Sequence, residues 1–382
     1  VLADEVPRRT KGKTGESYAK RTREIRDQLV ERVLAQAGGR GFRWTEPRDR
    51  TLADGARIQL LKAMAGEAPS NDLAAWEDHK QQIRENMHKV MGTLPPDTQT
   101  VPPDLEVLEE TEFPAYTRKR ITFAVEDWDR LPAYLLIPKK LNAPAPAMLC
   151  LHPTYAGGKD MAAGLGDKPN RNYAEELAQR GYVTLAPDYP GFGEYKEARQ
   201  ALYEHGYASC TLKGIWNHMR CVDLLQSLPE VDPSRIGCIG HSLGGHNTLF
   251  LGAFDERVKV MVTSCGFTSF PKYYEGDLTG WTHDGYMPRI ATEYGKDPAR
   301  MPFDFPEVLA LQAPRPVFIN APLHDANFEV SGVRDCVRAA AKVYALYDAE
   351  QRLVAVYPDA EHDFPKPVRE QAYQFIGSAL GP

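Results

Sequence analysis

The feature that most constrains the fold is a series of short apolar runs separated by helix-length stretches. The runs occupy residues 146–151, 182–187, 235–239, 257–264, 316–320 and 353–357 of the 382-residue chain. Each has the length and composition of a buried strand. Alternation of such strands with helices predicts an α/β fold, a largely parallel sheet with helices on both faces. Because ligand sites in such sheets lie at the carboxyl ends of the strands, we expect the active residues in the loops that follow the runs.

Two further patterns precede this series. Residues 118–125 and 131–137 alternate apolar and polar side chains around a polar turn, which predicts an antiparallel hairpin. Ahead of it, residues 17–36 and 73–91 carry apolar side chains at helical spacing, and Pro95-Pro96 ends the pattern. The sequence therefore predicts a helical N-terminal extension over residues 1–100 and a catalytic domain over residues 101–382.

The composition excludes several classes of partner. The formal net charge of −6 provides no cationic field for nucleic acid, so a nucleic-acid partner is not expected. No run approaches the 18 apolar residues that cross a bilayer, so no membrane partner is expected either. Val1-Leu2-Ala3 is similar to the end of a secretory signal, which predicts a secreted or periplasmic protein; an arbitrary start of the sequence is the alternative.

A strand-to-helix turn around Ser242 carries the strongest chemical signal. Gly240-His241-Ser242-Leu243-Gly244 follows the apolar run 235–239 and precedes a helix-forming segment. The two glycines are needed because a sharp turn of this kind brings the strand and helix backbones too close for Cβ atoms. This pattern predicts a nucleophile elbow with Ser242 as the nucleophile.

A serine nucleophile requires a histidine that accepts its proton and a carboxylate that orients the histidine. Asp325 follows the run 316–320, and His362 follows the run 353–357, which gives the chain order Ser, Asp, His. A loop-capping role for Asp325, with Asp359 as a rival acid, is the alternative. His324 is expected to pack in its loop.

The tetrahedral intermediate of acyl transfer needs two hydrogen-bond donors at its oxyanion. Leu243 supplies the first through its N–H. The second is expected from the loop after the first apolar run, where Pro153 has no N–H and Thr154 or Tyr155 is the candidate. His152 in this loop is expected to be structural.

Residues 266–313 form a long insertion rich in aromatic side chains, for which a lid over the serine is the natural hypothesis. Trp281 and Tyr286 in the insertion, and His241 next to the serine, are the candidate substrate-binding residues. The alternative is that the aromatic rings only pack the insertion itself.

The chain resembles the α/β-hydrolase superfamily, and within it the dienelactone-hydrolase-like and acetyl-xylan-esterase-like serine esterases. The resemblance rests on the hairpin before the core and on four segments, 151–154, 182–194, 232–245 and 361–364. It implies an α/β-hydrolase fold with a mostly parallel sheet of eight strands, and the same triad. The sequence departs from the family pattern at Pro153, where glycine is usual, and at Ser242, where true dienelactone hydrolases have cysteine.

These observations predict a serine carboxylesterase that forms an acyl-enzyme and needs no cofactor and no metal. The expected partner is a small-molecule or oligosaccharide ester, either an O-acetyl sugar or a methyl ester of a uronic acid. Two alternatives stay open, a peptidase related to the prolyl oligopeptidases and a catalytically silent carbohydrate-binding protein of the same fold. The oligomeric state is open.

Overall fold

Nine β-strands form one sheet in the computed structural model, which describes residues 73–381. In chain order they are β1 (Glu106–Glu112), β2 (Tyr116–Glu126), β3 (Asp129–Pro138), β4 (Ala145–Leu151), β5 (Val183–Pro187), β6 (Val231–His241), β7 (Val258–Ser264), β8 (Val317–Asn320) and β9 (Leu353–Val356). Across the sheet the order is β1-β2-β3-β5-β4-β6-β7-β8-β9. Strands β5, β4, β6, β7, β8 and β9 pair in parallel, whereas β1, β2 and β3 are antiparallel. The predicted parallel sheet and the predicted hairpin are both confirmed.

The expected number of strands was wrong by one, because β1 was not predicted. Six of the seven side chains of Glu106–Glu112 are exposed, so this strand lacks the apolar alternation that marks a half-buried strand. It pairs with β2 at the edge of the sheet, where Glu110 and Glu109 lie 3.3 and 3.4 Å from Lys119 and Arg120. Charged side chains of this kind protect an open sheet edge from pairing with other chains.

Helices cover both faces of the sheet, as predicted. Within residues 73–381 they are α1 (Leu73–Met91), α2 (Tyr173–Ala178), α3 (Ala198–Glu204), α4 (Cys210–Ser227), α5 (Leu243–Phe254), α6 (Arg289–Thr292), α7 (Phe305–Ala310), α8 (Val330–Ala345) and α9 (Lys366–Leu380). Helices α1, α4, α5 and α8 contribute to one apolar core, and α2 and α9 to a second core on the opposite face. In β4, Leu149 belongs to the first core and Cys150 to the second, as the two-residue period of a strand requires.

Helix α1 confirms the prediction for residues 73–91. Its residues Ile83 and Met87 are buried in the first core, and the Ser209 hydroxyl donates to the Met91 carbonyl at 2.6 Å. The predicted helix over residues 17–36 and the signal-like Val1–Ala3 lie outside the described residues, and the boundary at residue 100 stays a prediction. No helix within residues 73–381 combines the length and apolarity that a membrane span requires.

The insertion over residues 266–313 lies between β7 and β8 and contains α6, α7 and several short 3₁₀ turns. Its aromatic rings largely pack against one another: the Trp281 ring centroid lies 5.6 Å from that of Phe305 and 6.1 Å from that of Phe270. These contacts show that much of the aromatic content builds the insertion itself. Its role as a lid stays a prediction.

Candidate active site

Ser242 stands alone between the end of β6 and the first residue of α5. Its backbone has φ 55° and ψ −116°, an unusual conformation for a residue with a side chain. A Cβ atom at Gly240 would lie 2.2 Å from the Gly244 carbonyl oxygen, and one at Gly244 would lie 2.0 Å from the Leu151 carbonyl oxygen. The predicted requirement for both glycines is therefore confirmed.

His362 and Asp325 form a two-pronged hydrogen-bonded pair. The Nδ1 atom of His362 lies 2.9 and 3.0 Å from the two carboxylate oxygens of Asp325. The Asp325 carboxylate also accepts from the backbone N–H groups of Asn327 and Phe328, at 2.8 and 3.1 Å. Because its side chain is almost fully buried, these bonds fix the carboxylate and orient the imidazole.

The rival acid, Asp359, is engaged elsewhere. It lies 2.7 Å from the Nε2 atom of His324, and both side chains are exposed. The expectation that His324 packs in its loop was wrong, because the ring extends into solvent to meet this carboxylate. The pairing of Asp359 with His324 leaves Asp325 as the carboxylate bound to His362.

The three candidate residues of the triad follow β6, β8 and β9 and so meet at one edge of the sheet. The His362 ring centroid lies 4.8 Å from that of His241, the residue directly before Ser242, and 27% of the His362 side chain is exposed. Among the described residues, no hydrogen bond joins the Ser242 hydroxyl to His362. Such bonds are often long without substrate and tighten when it binds.

The ring of His241 packs against that of His362 and does not line open space. Its side chain is buried, and its Nδ1 atom lies 2.9 Å from the hydroxyl of Ser264, which accepts from the Asn320 amide at 2.8 Å. Burial, with smaller contributions from nearby cations, holds the pKa of His241 well below its ordinary value, so the ring is neutral. The prediction that His241 contacts substrate was wrong, because its ring packs against His362.

The two aromatic candidates differ in their surroundings. Trp281 is only 2% exposed and packs against aromatic rings of the insertion, so its predicted contact with substrate was also wrong. Tyr286 is partly exposed, and it packs against the apolar cluster that contains Leu243. Tyr286 therefore stays a candidate.

The candidate oxyanion donors lie on two elements, the start of α5 and the loop after β4. Leu243 is the first residue of α5, so its N–H has no acceptor within the helix. Thr154 is exposed and Tyr155 is partly buried, in a turn closed by the bond from the Gly158 N–H to the Tyr155 carbonyl at 2.8 Å. The assignment of the second donor to Thr154 or Tyr155 stays a prediction.

His152 has the structural role that was predicted. Its Nδ1 atom donates to the Pro153 carbonyl at 2.6 Å, and its Nε2 atom accepts from the Tyr189 N–H at 2.9 Å. Burial lowers the pKa of His152, which favours this neutral form. The ring therefore joins the loop after β4 to the loop after β5.

Arg171 is a residue that the sequence did not reveal. Its Nη1 atom lies 2.5 Å from Oδ1 of Asp363, and its Nη2 atom donates to the His362 carbonyl at 3.0 Å. Burial raises the pKa of Asp363, but the hydrogen bond and charge of Arg171 outweigh it, so the net pKa is lowered. No local pattern signals this contact, because 191 residues separate Arg171 from His362.

Within residues 73–381, one group of side chains could hold a metal ion. Ligand atoms of His241, Cys265 and His362 all lie within 4.8 Å of one another. One ring nitrogen of His362 is already bonded to Asp325, so this group coincides with the candidate triad. That no metal or cofactor is needed stays a prediction.

Comparison with known proteins places this geometry in a family. The model of the prolyl oligopeptidase family matches residues 171–376, more than half of the chain, and the match spans Ser242, Asp325 and His362. The chain belongs to the prolyl oligopeptidase family. Membership confirms the resemblance to the α/β-hydrolase superfamily and agrees with the observed sheet.

Several known proteins are similar over most of their length. YtaP of Bacillus subtilis (strain 168), provisionally named a hydrolase, is 28% identical over 306 residues, which cover 77% of this chain and 97% of that protein. A glucuronoyl esterase of Solibacter usitatus superposes with a TM-score of 0.63 at 20% identity, over 82% of this chain and 95% of that chain. An acetyl xylan esterase assigned in Bacteroides fragilis NCTC 9343 superposes with a TM-score of 0.58 at 18% identity, over 83% and 84%. At these identities the superpositions establish the shared fold.

Proposed function

We propose that the protein is a serine carboxylesterase that acts through an acyl-enzyme. The observation that carries this proposal is the two-pronged bond between the buried Asp325 carboxylate and His362, whose ring packs against that of His241, next to Ser242 in the elbow. An imidazole held in this way has one nitrogen committed to the carboxylate and the other available for proton transfer. The arrangement therefore suits the activation of a serine hydroxyl.

The proposed reaction has two halves. The Ser242 oxygen attacks the ester carbonyl while His362 takes the hydroxyl proton, and Asp325 stabilises the resulting imidazolium. The N–H of Leu243 and a donor from the loop at Thr154 or Tyr155 stabilise the oxyanion. His362 then protonates the departing alcohol. In the second half, a water molecule activated by His362 hydrolyses the acyl-Ser242 ester and regenerates the enzyme.

We propose a carbohydrate ester as the substrate, either an O-acetyl sugar or a uronic acid methyl ester. Support comes from the structures that share the fold over more than four fifths of this chain, which include glucuronoyl esterases and an acetyl xylan esterase. Export from the cell would give the enzyme access to such a substrate and is part of the proposal.

The proposal is tested by replacing Ser242 with alanine. Turnover of p-nitrophenyl acetate should fall by at least about a thousandfold, and a fluorophosphonate probe should no longer label the protein. Ser378→Ala, an exposed serine on α9, is the matched control and should behave as the wild type. Retention of most activity in Ser242→Ala would overturn the assignment.

Peptidase activity is the second candidate, because the matching family model is that of the prolyl oligopeptidases. The same triad would then acylate on a peptide carbonyl. A panel of proline-containing peptides, assayed beside p-nitrophenyl acetate with the same Ser242→Ala control, separates the two. Higher kcat/KM on a peptide than on any ester would favour the peptidase.

A further inference from the structure

An exposed tyrosine stands on the rim of the candidate active site. The Tyr274 side chain is 53% exposed, although its hydroxyl is fixed by a 2.7 Å hydrogen bond to Oδ1 of Asn327. The backbone N–H of Asn327 in turn donates to the Asp325 carboxylate at 2.8 Å. Tyr274 is therefore fastened to the loop that supplies the candidate catalytic acid, and its ring faces solvent.

The backbone holds this ring in an unfavourable conformation. Tyr274 has φ 43° and Glu275 has φ 58°, so two successive residues with side chains are in the left-handed region. Each such residue costs on the order of 1 kcal/mol and persists only where the surroundings enforce it, often at functional sites. The packing of Tyr274 against Tyr273, at 4.8 Å between ring centroids, completes the support.

A row of aromatic rings connects Tyr274 to the catalytic imidazole. The Tyr273 ring centroid lies 5.9 Å from that of Phe328, and Phe328 lies 6.0 Å from His362. Phe328 is itself buried, whereas Tyr274 at the outer end of the row is open to solvent. Two rings, those of Tyr273 and Phe328, therefore separate the exposed ring of Tyr274 from the imidazole of His362.

We propose that Tyr274 is the stacking platform of a sugar subsite, with Asn327 and Glu275 as its polar partners. A pyranose ring offers an apolar C–H face and a rim of hydroxyls. Tyr274 presents the matching aromatic face. Asn327 holds the Tyr274 hydroxyl through Oδ1, and its amide nitrogen donates to no group within residues 73–381. The carboxylate of Glu275, the next residue in the chain, is exposed, so a hydrogen-bond donor and an acceptor are available on residues adjoining Tyr274. This inference rests on the proposed esterase function and names the part of the substrate that is bound.

The test compares a small ester with sugar esters in Tyr274→Ala. The kcat/KM for acetylated xylo-oligosaccharides, or for a glucuronic acid methyl ester, should fall five- to tenfold through a higher KM, as loss of one aromatic contact implies. The kcat/KM for p-nitrophenyl acetate should change less than twofold. Tyr274→Phe keeps the ring and should retain most of the activity on the sugar esters.

Tyr347→Ala is the matched control. The hydroxyl of Tyr347 also bonds a side chain, that of Glu77 at 2.6 Å. Tyr347 lies between α8 and β9, before the amino end of β9, whereas the candidate triad follows the carboxyl ends of the strands. An equal loss on both kinds of ester in Tyr274→Ala would overturn the subsite, and so would wild-type enzyme that hydrolyses p-nitrophenyl acetate but no sugar ester. In either case Ser242-dependent turnover of p-nitrophenyl acetate would leave the esterase proposal intact.

Discussion

At the scale of single residues, the guanidinium of Arg171 holds the backbone that carries the candidate catalytic base. One arm binds Asp363 and the other binds the His362 carbonyl, while the side chain is only 6% exposed. A planar fork is needed to reach two acceptors at once, so lysine cannot replace it. We infer that Arg171 is a positioning residue for His362.

Replacing Arg171 with methionine should therefore lower kcat for p-nitrophenyl acetate by about tenfold to a hundredfold and leave KM nearly unchanged. The reason is that a displacement of the base by about 1 Å has an effect of this size on the rate. Arg171→Lys should recover only a small part of the loss. Steady-state kinetics on both variants check the expectation.

Arg315→Met provides the control. Arg315 is also largely buried and donates to the carbonyls of Gly252, Asp255 and Val258. It lies before the amino end of β8, whereas the candidate triad follows the carboxyl ends of the strands. This variant should lose stability and keep its kcat. Equal effects on kcat in both variants would mean that Arg171 acts only through general stability.

The contrast between the triad and Arg171 shows what the sequence can reveal about a site. Ser242, Asp325 and His362 each follow a recognisable strand in an order typical of the fold, so the strand assignment and the glycine pattern around Ser242 were enough to predict them as candidates. Arg171 is one of 46 lysines and arginines and follows no strand. Its proposed role depends on a contact with a loop 191 residues further along the chain, and such a contact produces no local pattern in the sequence.

At the scale of secondary-structure elements, the backbones of β6, α5 and β4 approach closely at the junction of β6 and α5. A Cβ atom at Gly244 would lie 2.0 Å from a backbone oxygen of β4, and no flexible side chain can yield there. Gly244→Ala should lower the free energy of unfolding by about 3 kcal/mol or more, since overpacking against backbone is costly. Urea unfolding followed by circular dichroism measures the loss.

Gly377 in α9 is a suitable comparison. A Cβ atom there would meet nothing nearer than 3.6 Å. Alanine at this position should leave stability unchanged or raise it by up to about 1 kcal/mol, because alanine is the better helix former. A Gly244→Ala variant as stable as Gly377→Ala would contradict the steric account of the elbow.

The elements also differ in how well the sequence predicted them. The inner strands were found because both of their faces are buried, which requires uninterrupted apolar runs such as that of β4. Strand β1 was missed because an exposed edge strand is specified by its pairing with β2 and not by burial. Trp281 was assigned to substrate for a different reason. An aromatic residue in an insertion has the same sequence signature whether it packs within the protein or binds a ligand.

At the scale of the whole molecule, the core contains four buried histidines, His152, His218, His241 and His246. Burial lowers the pKa of each, and for His218 and His246 the pKa falls to about 3. In the unfolded chain these rings take up protons near their ordinary pKa of 6.5. Between pH 6.5 and 3 the unfolded state therefore binds more protons than the folded state.

This difference makes stability depend on pH in a defined direction. Above pH 6.5 the buried histidines do not reduce the free energy of unfolding. As the pH falls below 6.5, each histidine with a depressed pKa lowers the free energy of unfolding by up to about 1.4 kcal/mol per pH unit. His218→Leu removes one such group, and no side-chain hydrogen bond of His218 is found among residues 73–381. Urea unfolding at pH 7.5, 6.0 and 5.0 should show that the variant loses less stability on acidification than the wild type. The proton taken up on unfolding binds to His218 and does not involve Ser242. The smaller loss of stability should therefore also appear when His218→Leu is combined with Ser242→Ala. Parallel stability curves for His218→Leu and wild type would mean that His218 is protonated in the folded protein, which its burial argues against.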